Sequence, residues 1–271
     1  MEVLELEKIA KKIRYESIKQ IYLAGSGHMG SSLSSADILT TLYFGDILKH
    51  NPLNASWEGR DYFILSNGHA CPAWYAVLAH RGFFPIPELE NFRDFGHFLQ
   101  GHPDKSKFEY TETTTGSLGQ GITVGLGIAW GLKRTNRKNL VYVLESDGEQ
   151  DEGAVWEVNR IAAHQKLDNL KVIIDRNGMQ IDAGTEEVSA LEPLDEKYRS
   201  FGWNVMTING HDIKEIIRAV GEIKQVKDKP SVIIAKTVRG QGVSYMENSL
   251  KYHAKSLTRE EFEIAKKELN G

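Results

Sequence analysis

Leu140-Val141-Tyr142-Val143-Leu144-Glu145-Ser146-Asp147-Gly148-Glu149 decides the fold when read with Glu152-Gly153 and with Leu170-Lys171-Val172-Ile173-Ile174-Asp175-Arg176-Asn177-Gly178. The apolar run from Leu140 to Leu144 predicts a buried strand that ends where the acidic turn begins. Glu152 to His164 reads as a helix, with Ala154, Trp156, Val158 and Ile161 among its positions. A second buried strand covers Leu170 to Asp175 and ends at Asn177-Gly178. The product is a strand–helix–strand unit with oxygen donors at the carboxyl ends of both strands, the edge at which open parallel sheets bind ligands. A hard cation such as magnesium takes one or two protein oxygens and completes its octahedron with phosphate oxygens. Asp147 and the Asn177 amide oxygen, with a backbone carbonyl nearby, suit a cation of that kind, and a diphosphate cofactor is its natural partner. Taken singly, Asn177-Gly178 reads equally as a tight hairpin turn, and Asp147-Gly148 as an ordinary acidic turn. Their joint spacing is the discriminating feature.

With 33 basic and 37 acidic residues among 271, the formal charge is −4, and nothing points to nucleic acid or an anionic membrane as a partner. No apolar run approaches the roughly 20 residues needed to span a bilayer. The acidic start, Met1-Glu2-Val3-Leu4-Glu5, lacks the pattern of a signal peptide. Cys71 is the only cysteine, so no disulfide forms within the chain, and a reducing cytoplasm is the expected compartment. A buried thiol at a helix entrance is favoured over a nucleophile for Cys71, because no base accompanies it in the sequence.

Apolar spacing predicts a helix over residues 4–24, then a Gly/Ser-rich segment over 24–32 carrying His28. A second helix uses Ile38, Leu39, Leu42 and Tyr43 and is expected to run until Asn51-Pro52. A short strand over 62–65 leads into Ser66-Asn67-Gly68-His69, and a helix carries Trp74 to His80. Residues 83–112 read as irregular. Thr113 to Gly121 opens a small-residue helix reaching Leu132. Strands over 203–208 and 231–236 flank a helix near 212–226, and a charged helix ends the chain. No linker is evident, so residues 1–271 are read as one domain.

His28, His69, His102, His211 and His253 sit in loops or at strand ends, where imidazole can bind phosphate or move protons. Any one alone reads more readily as a solvated loop residue. None has the short Cys or His spacing of familiar zinc ligands, and His97 and His102 lack an obvious third. The segment Gly116 to Gly121 lacks both the Gly-Lys-Ser/Thr ending of a P-loop and the dinucleotide glycine fingerprint.

Taken together, these motifs resemble the amino-terminal, diphosphate-binding half of a transketolase. The resemblance covers nearly the whole chain in order. It runs through Gly27-His28-Met29-Gly30, Ser66-Asn67-Gly68-His69-Ala70, Gly101-His102-Pro103, Thr115-Gly116-Ser117-Leu118-Gly119-Gln120-Gly121 and Ser146-Asp147-Gly148-Glu149. It continues through Ala163 to Leu170, Asp175-Arg176-Asn177, Asn209-Gly210-His211-Asp212 and Gly240-Gln241-Gly242-Val243. The resemblance implies an α/β fold of three layers, a parallel sheet with helices on both faces.

It also implies thiamine diphosphate as cofactor, held through Mg2+ or alternatively Ca2+ or Mn2+. Asp147, Asn177 and the Met179 carbonyl would ligate the metal. Gly148, His69 and His253 would lie against the diphosphate, with Asn177 beside them. Gly116, Ser117 and Leu118 would contact the aminopyrimidine side, Glu152 would support the nearby interface, and His28 and His102 would face the substrate. The cofactor is the electron sink and the protein positions and polarises.

Three positions depart from the family pattern. Ser146 replaces the usual first glycine of Gly-Asp-Gly, Met29 a frequent proline, and Tyr252-His253-Ala254 a usual His-Gly pairing. None removes a metal ligand. A full transketolase is more than twice this length, and the absent half supplies the glutamate that binds the pyrimidine nitrogen. The resemblance therefore implies a carboxy-terminal partner subunit carrying the pyrimidine-binding and C-terminal domains, assembled as α2β2. The expected reaction is two-carbon ketol transfer from a ketose to an aldose, of the pentose phosphate kind. The alternatives are a related subunit for a specialised sugar or sulfosugar, a synthase resembling the deoxyxylulose-phosphate enzyme, or a non-catalytic cofactor binder.

Overall fold

The computed structural model of the chain describes residues 1–181, 183–253 and 255–270. Ala254, quoted with Tyr252 and His253 in the sequence motif, lies outside the described residues. β-Branched and aromatic runs form the strands β1 (Tyr62–Leu65), β2 (Val141–Ser146), β3 (Leu170–Arg176), β4 (Asn204–Asn209) and β5 (Ser231–Lys236). They make one parallel sheet in the order β1-β2-β3-β5-β4.

Side-chain alternation along these strands fills two separate cores. Tyr142, Leu144, Ile173 and Ile233 pack under α1 (Val3–Ala24), α3 (Ala36–Phe44), α4 (Cys71–His80), α9 (Ile213–Gln225) and α10 (Arg259–Asn270). Val143, Val172, Ile174 and Ile234 face the other way, onto α5 (Gln120–Arg134), α6 (Gly153–His164) and α8 (Leu194–Ser200). Burial on both faces explains why these strands read as continuous apolar runs. The result is the α/β three-layer arrangement expected from the sequence. No helix among the described residues is long and apolar enough to cross a membrane.

The structure departs from the sequence reading in three places. The Gly/Ser-rich segment after His28 contains a short helix, α2 (Met29–Ser34). Its weak formers are held from outside by Ser34 Oγ, which donates to Asp175 at 2.6 Å, while Ser32 Oγ donates one turn back to the His28 carbonyl at 2.8 Å. Helix α3 stops at Phe44, well before Asn51-Pro52, because Gly45 closes the last turn and Asp46 takes a left-handed φ of 56°. Between β3 and β4 lie α8 and a single turn, α7 (Thr185–Val188), which the sequence did not announce. Cys71 is buried at the start of α4, its Sγ 3.2 Å from the Gly101 carbonyl, and burial pushes the thiol far up. It is no nucleophile.

Two buried polar networks lock the helices to the strand tips. Arg14 of α1 pairs with Asp37 of α3, and His211, after β4, donates from Nδ1 to the same carboxylate at 2.7 Å. His211 Nε2 accepts the Val238 N–H at 2.8 Å, which also fixes the imidazole tautomer. Burial alone would raise the Asp37 carboxyl, but Arg14 and His211 reverse that and hold it below its ordinary range. Asp175, at the end of β3, accepts from Ser34, Ser35 and Thr237. Removing one member of a buried ion pair strands the other, at a cost of about 3–5 kcal/mol. Asp37→Ala should therefore lower the unfolding free energy by that amount in urea titrations, and a loss below about 1 kcal/mol would contradict the network's role.

Candidate functional site

The loops that follow β1, β2, β3 and β5 leave the same edge of the sheet, so parallel register alone gathers their residues. Ser146 pairs with Asp175 across β2 and β3, which brings Asp147 beside the turn at Asn177. Asp147 Oδ2 accepts the Gly178 N–H at 2.7 Å, Arg176 Nη1 at 2.9 Å and the Thr185 hydroxyl at 3.1 Å. Oδ1 accepts only from its neighbour, Gly148 N, at 3.2 Å among the described bonds. Asn177 is buried, and its Oδ1 takes the Met179 N–H at 3.1 Å. Met179 pairs with Gly184, but the bonds flanking that bridge use the Gly178 and Ala183 carbonyls, leaving the Met179 carbonyl outside the pairing.

Burial, then the charge of Asp175, pushes Asp147 up to about 6, even against Arg176. A buried carboxylate that resists ionisation beside a second one is a place where added positive charge is favourable. The oxygen-only donor set suits a hard divalent cation.

Four of the histidines singled out in the sequence converge here. The His28 ring lies 5.4 Å from that of His69, 5.9 Å from His102 and 5.2 Å from His253, centroid to centroid. Burial first, then the charges of His253, His102, Arg93 and Arg239, lowers His28 to about 4. His69 keeps an edge to solvent, yet burial and its neighbouring imidazoles bring it to about 3. His102 is lowered by burial and by Arg93. At neutral pH His28, His69 and His102 are therefore uncharged, able to donate and accept hydrogen bonds. His211 is not part of it, being spent on Asp37 and Val238, and His97 is bound to Glu88 at 2.9 Å.

The glycine loop closes one wall. Gly116 has φ 125°, and a Cβ there would come within 2.9 Å of the His102 ring. Ser117 is exposed and Leu118 half-buried, just before α5. Gly148 follows Asp147 in a single 3-10 turn, and Glu152 is exposed at the N-cap of α6. Every candidate site residue thus lies at this edge, Glu152 on its rim.

Unpaired polar atoms gather at the same edge, as a site for a polar ligand requires. Among the described residues, His28 Nδ1, both polar atoms of the fully buried Asn67 side chain, Thr115 Oγ1 and Arg239 Nε are buried with no hydrogen-bond partner. Orphaned buried groups of this kind cost about 1–3 kcal/mol each, and they belong beside something that binds them. Sequence reasoning gave no role to Arg239, Asn67, Thr115 or Glu149. Arg239 follows the tip of β5, packs against Gly30, donates to the Gln180 carbonyl at 2.6 Å and meets His253 Nδ1. Its signal was a lone cation just past a strand end on the ligand edge.

Residues 6–270 match the family described as transketolase, thiamine diphosphate binding domain. The chain is 41% identical over 266 residues to a 6-deoxy-6-sulfo-D-fructose transketolase subunit of Clostridium sp. (strain MSTE9), covering 98% of this chain and 96% of that one. It is 39% identical to one of the subunits of the apulose-4-phosphate transketolase of Phocaeicola vulgatus, covering 100% and 95%. The transketolase structure from Campylobacter jejuni superposes with a TM-score of 0.93 at 34% identity, and this chain spans 43% of that one.

Because His28 titrates at about 4 here but at 6.5 when free, the unfolded chain binds more protons between those values. The stability His28 contributes is full above 6.5 and is lost as pH falls through about 4. The stability difference between wild type and His28→Gln should therefore shrink between pH of about 7 and about 5 in denaturant titrations. A constant difference would contradict the neutral, shielded imidazole.

Proposed function

This chain belongs to the transketolase family through its thiamine diphosphate binding domain, and from that premise we propose that it is the amino-terminal subunit of a two-subunit transketolase. The observation that carries the reading is the convergence of acidic strand tips, neutral histidines and unpaired buried polar groups on one sheet edge. In this reading residues 1–271 act as one diphosphate-binding domain, working in the cytoplasm.

When bound, thiamine diphosphate supplies an acidic carbon and an electron sink for breaking the bond next to a ketose carbonyl. The chain's own groups hold and orient it. Asp147, Asn177 and the Met179 carbonyl hold the divalent cation, Mg2+ first with Ca2+ or Mn2+ as alternatives. Gly148, His69 and His253 take the diphosphate, while Gly116, Ser117 and Leu118 border the pyrimidine and Glu152 supports the adjoining interface. His28 and His102 face the sugar, where neutral imidazoles bind hydroxyl and carbonyl oxygens and carry protons. The net reaction moves a two-carbon ketol unit from a ketose to an aldose.

A partner carrying the pyrimidine-binding and C-terminal domains completes the site, with α2β2 as the assembly. Support comes from the relatives named as subunits, which match this chain end to end, and from the 43% share of the Campylobacter chain that it spans. Those relatives are named for sulfofructose and apulose phosphate, which favours a specialised ketose donor over the common pentose phosphates.

Reconstitution with the product of a neighbouring reading frame tests the proposal. Two-carbon transfer should require both chains, thiamine diphosphate and a divalent cation, and transfer by either chain alone would refute it. Asp147→Ala should abolish cation-dependent binding of thiamine diphosphate to the complex, as seen by calorimetry, and wild-type affinity would count against the cation assignment. His102→Ala should leave that affinity within about threefold while lowering turnover about 100-fold or more. An unchanged rate would sink the role given to His102.

A further inference from the structure

Three segments assigned to the cofactor in the preceding reading arrive from distant parts of the chain: the loop after β1, the glycine loop before α5 and the acidic turn after β2. A side chain of the third bonds to the first two and to the last residue of β2. Glu149 is fully buried. Its Oε1 accepts the Ser66 hydroxyl and the Gly119 N–H, the latter at 2.8 Å, while Oε2 accepts the Ser146 N–H at 3.4 Å. Ser66 Oγ in turn accepts the Ile122 N–H at 3.1 Å. The first turn of α5, whose N–H groups have no helical acceptors, is thus capped by a carboxylate and a hydroxyl from other segments.

The arrangement leaves little slack. Gly119 has φ 76°, and a Cβ there would lie 3.0 Å from Glu152 Cβ. A Cβ on Gly121 would come within 2.7 Å of Ser66 Cα. A buried side chain whose two oxygens accept three bonds away from water is a stiff link, since each such bond is strong in a low dielectric.

We infer that Glu149 is a positioning residue that sets the spacing between the loop carrying His69, the loop carrying Gly116 to Leu118 and the turn carrying Asp147, and thereby sets cofactor affinity. The inference rests on the function proposed above. Glu149 is fully buried and acts through Ser66 and Gly119.

The test measures the Kd for thiamine diphosphate with Mg2+ by calorimetry on the reconstituted complex. Glu149→Ala should raise Kd about 30-fold or more, and Ser66→Ala about fivefold. The double variant should be no worse than Glu149→Ala, because both act through one unit. Glu149→Gln, which keeps an oxygen for Ser66 and Gly119, should restore affinity to within about fivefold of wild type. Glu145→Gln alters the adjacent buried carboxylate, which bonds to Gln150 instead, and should leave Kd unchanged. A purely structural role would lower the melting temperature alike in the Glu145 and Glu149 variants without this ordering of Kd.

Wild-type affinity in a folded Glu149→Ala complex overturns the inference, as does an equal loss in Glu145→Gln. If Glu149→Ala does not fold, Ser66→Ala binding with wild-type Kd overturns it. A wild-type complex that fails to bind the cofactor overturns the functional reading as well, which separates the two failures.

Discussion

Two carboxylates buried side by side, Asp147 and Asp175, impose the constraint on which the rest of the site depends. They sit at the adjacent carboxyl ends of β2 and β3, fixed there by parallel register. Taking such charge out of water is costly unless it is hydrogen-bonded or paired. The chain answers differently for each. Asp175 is saturated by Ser34, Ser35 and Thr237, which draws α2, and with it His28, against the strand tips. Asp147 is met by Arg176, Gly178 and Thr185 on one oxygen, while the other accepts only from the next residue among the described bonds. The same charges that threaten stability therefore order the loops around a cation-ready oxygen.

Arg176 deepens this arrangement. Besides Asp147, it reaches Glu186 at 2.6 Å and Glu192 at 3.4 Å, tying the excursion between β3 and α8 to the acidic turn. Across the site, His28, His69 and His102 are kept neutral by burial and by neighbouring imidazoles and the cations Arg93 and Arg239. Cations and neutral imidazoles on one side, with carboxylates on the other, match a ligand whose diphosphate carries its own metal. The geometry is asymmetric in the way that ligand is.

What could be read from the sequence divides along physical lines. The strands at 140–144 and 170–175 were legible because both faces of a central parallel strand are buried, leaving an apolar run that ends abruptly in oxygen donors. The four clustered histidines were legible as loop residues, but their convergence was not; it depends on which strands neighbour one another. Helix α2 was hidden because Gly30, Ser31 and Ser32 have little intrinsic preference for it, and bonds from Ser34 to Asp175 decide the matter. The early end of α3 was set by a left-handed Asp46, a local choice no apolar pattern reports. Glu149 stood within a quoted motif, yet its partners are 83 and 30 residues away along the chain, at Ser66 and Gly119. Long-range polar pairing of that kind leaves no periodic trace.

The central claim is that the tips of β2 and β3 clamp a divalent cation. Diffraction at the manganese edge, on crystals of the reconstituted complex grown with Mn2+ and thiamine diphosphate, tests it directly. The account predicts one strong anomalous peak in contact with Asp147 Oδ1, Asn177 Oδ1 and the Met179 carbonyl. Density for the cofactor with manganese held elsewhere, or with Asp147 still bonded only to its present partners, would contradict it.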